Sequence, residues 1–559
     1  MELTDAQREI RDTEDLSLLI LAPAGCGKTE SLALRIQGLL RRQVVTAPRK
    51  ILAISFTNKA KDNLKERLSR HLSQREFERV WVTNFHGLAS TIIRAHGNLL
   101  NLPSDTIFPE DYWVKRQCED TGLHYKRGNA VQALLSKIKR EALTDQEVAE
   151  KLANSKDEYA IEIEALRQSE NRLTHDDLIR LAELILNDER ATDLYSNHFG
   201  AIIIDEFQDL NHQQYRVIQR LGPARTTFAG DLAQGIFSFA GAAPKEILES
   251  IESQCNSSVR FTTSFRSSPA VLNAVNSLRG ITGGEELDCA LPDLWPNGGL
   301  FGVVRFASVD DEAKYIYEFS KYLTQKLPSQ RVGIMARAGH RRKWVDQKLG
   351  EQKIEHYPWD QSIFDDKTAK TVRDLLLSLK GANLEGRSDL KEVLRENSGL
   401  ERLHDPDQRR FLSEALGWVT EQIGEGRKTL EIVKGIKTGS NQKLINKPGI
   451  HLLNAHLGKG QQFEWVIIAG LEEGAIPYYK ARSKDEIEEE ARVLSVMLSR
   501  ARHGLIVTHS NTILTKYRTT KALSPSRYLK DLMKAEPLNS EGISKWFTSV
   551  DWSSLAVQD

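Results

Sequence analysis

Short apolar runs alternate with longer amphipathic stretches from the beginning of this chain. Leu18–Leu21 and Ile51–Phe56 are too short for helices and rich in leucine and isoleucine. Each is followed by helical periodicity, after Lys28 and over Ala60–Leu72, a βαβ rhythm that predicts a parallel sheet. Between 87 and 190 the strand signal lapses, and Val131, Leu134, Leu135 and Ile138 fall at helical spacing. Strands resume at Ala201–Ile204 and Thr226–Gly230, so a helical insertion interrupts one sheet. A second strand series follows residue 266, at Gly302–Phe306, Val332–Ala336, Ile450–Asn454, Trp465–Ala469 and Leu505–Thr508. Mixed-charge residues from 380 to 446 read as a second helical insertion, and the charge run Ser483–Arg492 as a solvated helix face.

At 559 residues the chain needs several cores, and 40% hydrophobic with 28% charged residues suits folded domains throughout. Lysine plus arginine equals aspartate plus glutamate, 77 each, so any nucleic-acid binding needs a local groove rather than a global positive field. The four cysteines, Cys26, Cys118, Cys255 and Cys289, lie far apart, which argues against zinc, iron-sulfur or disulfide frameworks and for a reducing cytoplasm. No apolar stretch reaches membrane-spanning length, so no membrane association is expected.

Two segments carry the chemistry. Ile202-Ile203-Ile204-Asp205-Glu206-Phe207-Gln208-Asp209 is an apolar strand that delivers adjacent carboxylates at its C-terminal end. Upstream, Ala22-Pro23-Ala24-Gly25-Cys26-Gly27-Lys28-Thr29 follows another strand and opens a helix, the arrangement in which backbone N–H groups and a helix dipole cradle phosphates. The match to a phosphate-binding loop is imperfect, because Ala22 replaces its first glycine. Together they predict an ATP site in which Lys28 neutralises the β- and γ-phosphates, Thr29 and Asp205 hold Mg²⁺, and Glu206 activates water.

Further landmarks, in chain order, resemble those of the UvrD/Rep/PcrA-type superfamily 1 DNA helicases over nearly the whole length. They are Leu3–Gln7, Ser55–Lys61, Asn84–Leu88, Asp205–Asp209 with Asn211 and Gln213, Gly230–Phe239, Phe265–Ser268, His456–Gly460 and Leu498–Arg502. The resemblance implies that Gln7 reads adenine and that Ala24, Gly25, Cys26, Gly27, Lys28, Thr29, Phe265 and Gly460 also line the nucleotide. It implies that Gln234 senses the γ-phosphate, and that Arg266 and Arg500, both expected from the second sheet, complete a transition-state charge clamp as the domains close. Phe56, Asn58, Phe85, His86, Phe237, Phe239 and His456 would contact DNA, although Phe56 and Phe85 read equally well as core. The cluster Arg337, His340, Arg341, Arg342 and Lys343 reads as phosphate-tracking or as a solvated helix start. Departures include Phe239-Ala240 in place of Trp-Arg, Gln461-Gln462 in place of Leu-Glu, and Glu30 where an arginine that packs on adenine is usual.

The fold this implies is α/β, with two RecA-like parallel-sheet domains, each carrying a mostly helical insertion. The expected limits are 1–86 with 191–265 for the first sheet domain, 87–190 for its insertion, 266–374 with 447–559 for the second, and 375–446 for a reduced second insertion. The implied activity is ATP-dependent 3′ to 5′ translocation on single-stranded DNA and at single-strand/duplex junctions, as in DNA repair. The short second insertion also fits a sensor class, an ATP-gated subunit of an antiviral defence system that signals to a partner nuclease.

Overall fold

The computed structural model describes residues 3–110, 113–238, 241–337, 339–359, 366–379, 384, 387, 389–400, 406–424, 428–436, 444, 446–515 and 519–556. The chain divides into two compact units, one of 1–266 with 279–290 and the other of 267–278 with 291–559.

The first unit is built on six parallel strands, β1 (Leu18–Leu21), β2 (Lys50–Ile54), β3 (Val80–Thr83), β4 (Phe199–Asp205), β5 (Thr226–Gly230) and β6 (Ser257–Arg260), in the order β3-β2-β4-β5-β1-β6. Every residue of β4 is buried, as a near-continuous apolar run between two helical layers must be. The helices Phe85–His96 and His175–Ile185 contribute Ile92, Ile93, Leu178 and Ile185 to the core that contains Ile202, Ile204 and Phe228 of the sheet. Most of both helices had been assigned by periodicity to the insertion, yet their apolar faces belong to the sheet. The insertion's own core is smaller and gathers Trp113, Val131, Leu135, Val148, Leu152 and Ile163.

An ionic cluster stitches that insertion to the sheet layer. Lys139 Nζ lies 2.7 Å from Glu164 and 2.9 Å from Asp177, and Arg167 reaches Glu164 at 2.7 Å and Asp145 at 2.9 Å. Arg180 reaches Asp177 at 2.8 Å and Asp145 at 2.5 Å. Asp145, Glu164 and Asp177 are spaced as metal ligands could be, but three cations already balance three carboxylates. Burial opposes the charge on Asp177, but Lys139, Arg167 and Arg180 outweigh it and hold the carboxyl well below its ordinary range.

The link at residue 266 is an excursion rather than a single boundary. Short strands β7 (Thr263–Ser264) and β8 (Asp288–Cys289) pair within the first unit, while the helix Pro269–Asn276 between them belongs to the second. The second unit carries β9 (Leu300–Ser308), β10 (Arg331–Ala336), β11 (His356–Pro358), β12 (Gly449–Asn454), β13 (Phe463–Ile468), β14 (Ala501–Leu514) and β15 (Thr520–Ala522). Their order is β11-β12-β10-β13-β14-β15, with β9 also on β14, and only the β14–β15 pairing is antiparallel.

Helices Asp366–Ser378, Leu390–Ser398, Pro406–Gly424 and Thr429–Gly435 share a separate core of Val372, Leu376, Leu394, Leu416, Val419 and Ile432. A limit at 374/375 would cut the first of these helices through its buried face. The expected helix face at Ser483–Arg492 is solvated only in its first turns, since Glu490 and all residues from there to Leu498 are buried.

Two histidines are locked neutral inside the second unit. His451 accepts the Trp359 indole N–H at Nδ1 (3.0 Å) and donates from Nε2 to the Lys447 carbonyl (2.8 Å), so a second proton would break the first bond. His503 lies near Trp465 and Trp295, with ring centroids 6.2 and 5.2 Å away. Burial, with Arg331 near His451 and Arg502 near His503, pushes each down to about 4 from the ordinary 6.5. The unfolded chain therefore binds more protons between those values, and the stability gained from neutral imidazoles is complete above 6.5 and lost as pH falls toward 4. The melting temperature of the second unit should fall between pH 7 and pH 5, with a loss on the order of 1–2 kcal/mol per histidine. Calorimetry with Trp fluorescence checks this, and an unchanged transition over that interval would contradict it.

Candidate nucleotide and nucleic-acid site

The loop after β1 turns on two glycines. Gly25 (φ +90) could not carry a Cβ, which would lie 2.5 Å from the Arg266 Cβ and 2.6 Å from the Ser264 hydroxyl. The backbone approach is fixed by the Phe265 N–H, which donates to the Gly25 carbonyl at 3.0 Å. Gly27, with φ 82 and ψ 23, is the N-cap of the helix Lys28–Arg41 and makes no side-chain capping bond. That helix start suits an anion, through its N–H groups and its dipole. Thr29, half-buried, follows Lys28 in its first turn.

Arg266 was expected from the second sheet, and this is corrected by the structure. Its Cβ and Cδ pack over Gly25, and it belongs to the first unit. The β7–β8 pairing holds it there, because Ser264 lies in β7 and its hydroxyl accepts the Arg266 N–H at 3.3 Å. Arg500 does lie in the second unit, 2% exposed, with its guanidinium donating to the Val496 carbonyl (2.9 Å) and the Ser499 hydroxyl (2.9 Å).

Lys28, Asp205 and Glu206 meet at the end of β4. Lys28 Nζ is 2.6 Å from Asp205 Oδ1 and 2.6 Å from Glu206 Oε1. Burial works against the ammonium, but the two carboxylates prevail and raise it above its ordinary range, so Lys28 remains charged. Burial likewise pushes Asp205 upward, with Lys28 opposing and Glu206 adding to the shift. Glu206 sits in left-handed backbone (φ 60, ψ 51), uncommon for a side chain of this size and concentrated at functional positions. Thr29 and Asp205 offer a hydroxyl and a carboxylate, hard oxygen donors of the kind Mg²⁺ prefers, so the residues fit that ion.

Gln208 lies in the Asp205–Asp209 segment, where the sequence alone assigns it no role. It is 0% exposed, donates from Nε2 to Glu206 Oε2 at 2.5 Å, and accepts the Asp231 N–H at Oε1 at 3.0 Å. Asp231 in turn accepts from Gln234 Nε2 (2.9 Å) and from the Ala233 N–H (3.0 Å). The residue predicted to sense the γ-phosphate thus connects to the predicted base through two intermediate residues, by way of the Asp231 backbone N–H. An amide next to a carboxylate pair in an otherwise apolar run was the available signal, since a buried amide needs partners at both ends.

Gln7 closes a capping box with Thr4, accepting the Thr4 N–H at 3.1 Å, and its Nε2 comes within 3.3 Å of where a Gly27 Cβ would stand. Arg35, also missed, is fully buried and donates to the carbonyls of Ile10, Thr13 and Asp15, pinning the Gln7 helix to the phosphate-loop helix. Ala24 is half-buried, Phe265 is 42% exposed, and Gly460 (φ +79) has open space around a Cβ.

Of the residues expected on DNA, Phe56 and Phe237 stack on each other, with ring centroids 5.9 Å apart and 20° between planes. Phe85 is corrected to core, 4% exposed among Leu88, Ile92 and Leu178. Exposed His86 meets exposed His175 edge-on at 5.2 Å. Asn58 opens the helix Asn58–His71, its side chain outside the described residues, as Phe239 is altogether. His456 is pushed down to about 4 by burial and by Arg337 and Lys459, so it is neutral near pH 7. Arg341 is neither phosphate-tracking nor solvated: it lies between the buried Glu312 and Glu472, 2.9 Å from the latter. Arg342 is buried too, and Arg337 pairs with Glu490 at 2.7 Å. The side chain of His340 lies outside the described residues.

No described helix is long and apolar enough to cross a membrane. The family model described as the UvrD/REP helicase N-terminal domain matches residues 3–254, and the UvrD-like helicase C-terminal domain matches 414–512. The ATP-dependent DNA helicase PcrA of Leuconostoc citreum is 24% identical, with 95% of this chain and 84% of that protein covered. The ATP-dependent DNA helicase Rep of Buchnera aphidicola subsp. Acyrthosiphon pisum is 24% identical, at 95% and 98% coverage, and DNA helicase II of Escherichia coli strain K12 is 26% identical, at 95% and 87%. The first two comparisons extend over 639 positions, more than the 559 residues of this chain, so these relatives carry segments it lacks.

The Cys26 thiol in the phosphate loop is 1% exposed, and burial, with Asp231 nearby, pushes it up to about 12. Since the thiolate is the nucleophile, Cys26 should resist iodoacetamide at pH 8 in the folded protein and react on unfolding. Peptide mass spectrometry reads this, and labelling at the rate of an exposed thiol would show that the loop is not closed as described.

Proposed function

The chain is a UvrD/Rep/PcrA-like DNA helicase, and from that premise we propose that it is an ATP-driven motor moving 3′ to 5′ on single-stranded DNA and acting at single-strand/duplex junctions. The observation that carries this reading is the meeting of Lys28, Asp205 and Glu206 beneath a glycine loop that cannot accept a Cβ. Lys28 binds the β- and γ-phosphates, exchanging a carboxylate partner for them. Mg²⁺ held by Thr29 and Asp205 would neutralise phosphate charge when bound. Glu206 orients and deprotonates the attacking water, and Arg266 adds positive charge beside the loop. Closure of the sheet domains on nucleotide, bringing Arg500 to the γ-phosphate, couples hydrolysis to movement. Phe265 and Gln7 hold the adenine.

Phe56, Phe237 and Phe239 supply stacking faces for bases, His86 and Asn58 polar contacts, and neutral His456 a hydrogen bond rather than an ion pair. We read the segments that relatives carry in excess as a larger second insertion, so this chain alone should unwind long duplex weakly. The names of the relatives support the motor reading, with DNA repair as its setting, and none supports a sensor that signals to a nuclease in antiviral defence.

Steady-state ATPase with and without oligo(dT) tests the proposal, and absence of stimulation would overturn it. Glu206→Gln should bind Mg-ATP normally while turnover falls by roughly 10²–10⁴-fold, the range for loss of a general base. Turnover near wild type would reassign the base. Strand affinity should fall with salt at a log-log slope of about −0.7 per phosphate contacted, despite the balanced charge of the chain. Fluorescence anisotropy across a salt series measures the slope, and a flat line would contradict groove binding.

A further inference from the structure

Glu206 is held at both carboxylate oxygens: Oε1 lies 2.6 Å from Lys28 Nζ and Oε2 2.5 Å from Gln208 Nε2. These two donors have different fates during turnover. To serve a phosphate, Lys28 must loosen its hold on Oε1. Gln208 has no such competing duty, is fully buried, and has both ends of its amide engaged. Its surroundings leave little room to shift, since a Cβ on Gly230 would stand 2.3 Å from Gln208 Oε1 and 2.6 Å from the Phe207 ring. Gln208 therefore keeps its hold on the base, set on an unusual left-handed backbone (φ 60), when Lys28 turns to phosphate.

The other end of the amide is tied to a segment with a different task. Oε1 accepts the Asp231 N–H, the first backbone donor after β5. Asp231 opens the turn Leu232–Gln234, holds Gln234 through its carboxylate, and leads within six residues to Phe237, which stacks on Phe56. A displacement of this segment, as when a base replaces or joins the Phe56–Phe237 stack, moves the Asp231 N–H that fixes Gln208 Oε1. Because the amide is planar, turning its oxygen also turns the nitrogen that holds Glu206.

We infer that Gln208 is a positioning residue that sets the angle of the Glu206 carboxylate according to whether nucleic acid occupies the Phe56–Phe237 surface. This rests on the proposed roles of Glu206 as base and Phe237 as a base-contacting ring. Gln208 touches neither nucleotide nor DNA. Its effect falls on turnover, most of all on how far single strands accelerate hydrolysis, with little change in how tightly either ligand binds.

Two variants of the full chain test this. Gln208→Met keeps length and volume but removes both hydrogen bonds, whereas Gln208→Glu keeps the acceptor for Asp231 and sets a second carboxylate against Glu206. Affinities are measured with a fluorescent ATP analogue and with labelled oligo(dT), and turnover with and without saturating oligo(dT). In Gln208→Met, both affinities should stay within about twofold of wild type while the ratio of stimulated to basal turnover falls about tenfold, a modest fraction of what general-base catalysis supplies. In Gln208→Glu the same ratio should fall at unchanged affinities, because an ionised carboxylate has no donor to offer Glu206.

A folded Gln208→Met protein with the wild-type ratio would overturn the inference, as would a wild-type ratio in Gln208→Glu. If Gln208→Met does not fold, the ratio in Gln208→Glu decides alone. A wild-type protein that oligo(dT) does not stimulate would instead refute the functional reading, whereas failure of this inference alone leaves the wild type stimulated and the variants like it.

Discussion

Three ionisable groups gathered at the end of β4, Lys28, Asp205 and Glu206, set the terms for the first unit. Taking Asp205 and Lys28 out of water is costly unless each finds an opposite charge at contact distance, and Lys28 meets two carboxylates at 2.6 Å. That contact requires the phosphate loop to come close to β4, which the fully buried strand and the β1–β5 and β4–β5 pairings provide. It also requires the loop to be thin. Gly25 meets that need on its outer side, where Arg266 and Ser264 leave no space for a methyl group. The charge cluster, the glycine and the β7–β8 pairing are therefore one constraint seen from three sides.

The same solution recurs where each unit joins distant segments. In the first, Lys139, Arg167 and Arg180 face Asp145, Glu164 and Asp177, so removing any one leaves a buried charge unmatched. In the second, Arg341 serves both Glu312 and Glu472, one cation for two carboxylates. Burial, with Glu312 adjacent and Arg341 opposing, pushes Glu472 up to about 7, so that trio balances its charge by retaining a proton rather than by adding a cation. Hydrophobic burial holds each layer together, but these ionic contacts fix which segments meet.

Much of this architecture was legible in the sequence, because strand and helix periodicity are local properties. β1, β5, β10 and β12 fall almost where their apolar runs predict, as does the helix Tyr125–Lys139. Ownership of helices was less legible. The helix His175–Ile185 has the same period whether its apolar face meets the insertion or the sheet, and only packing with Ile202 and Ile204 decides. Arg266 was misplaced for a related reason, since a two-residue strand such as β7 has no periodicity to detect, yet it holds the arginine in the first unit. Phe85 could be stacking surface or core on composition alone. Arg341 looked like part of a basic surface because its partners, Glu312 and Glu472, are 29 and 131 residues away.

Glu30 shows how a departure from a family pattern can be a structural exchange. Where the resemblance expects an arginine packed on adenine, Glu30 instead pairs with His71 and, at 3.4 Å, with Arg67. Both partners lie near the end of the helix Asn58–His71, whose first residues are among those expected on the strand. The carboxylate in the first turn of the phosphate-loop helix is thereby committed to a neighbouring helix, and its charge is neutralised locally rather than facing the phosphates. A bare glutamate there would repel the anion that the helix start attracts. Its pairing removes that penalty and ties the phosphate-loop helix to the helix Asn58–His71.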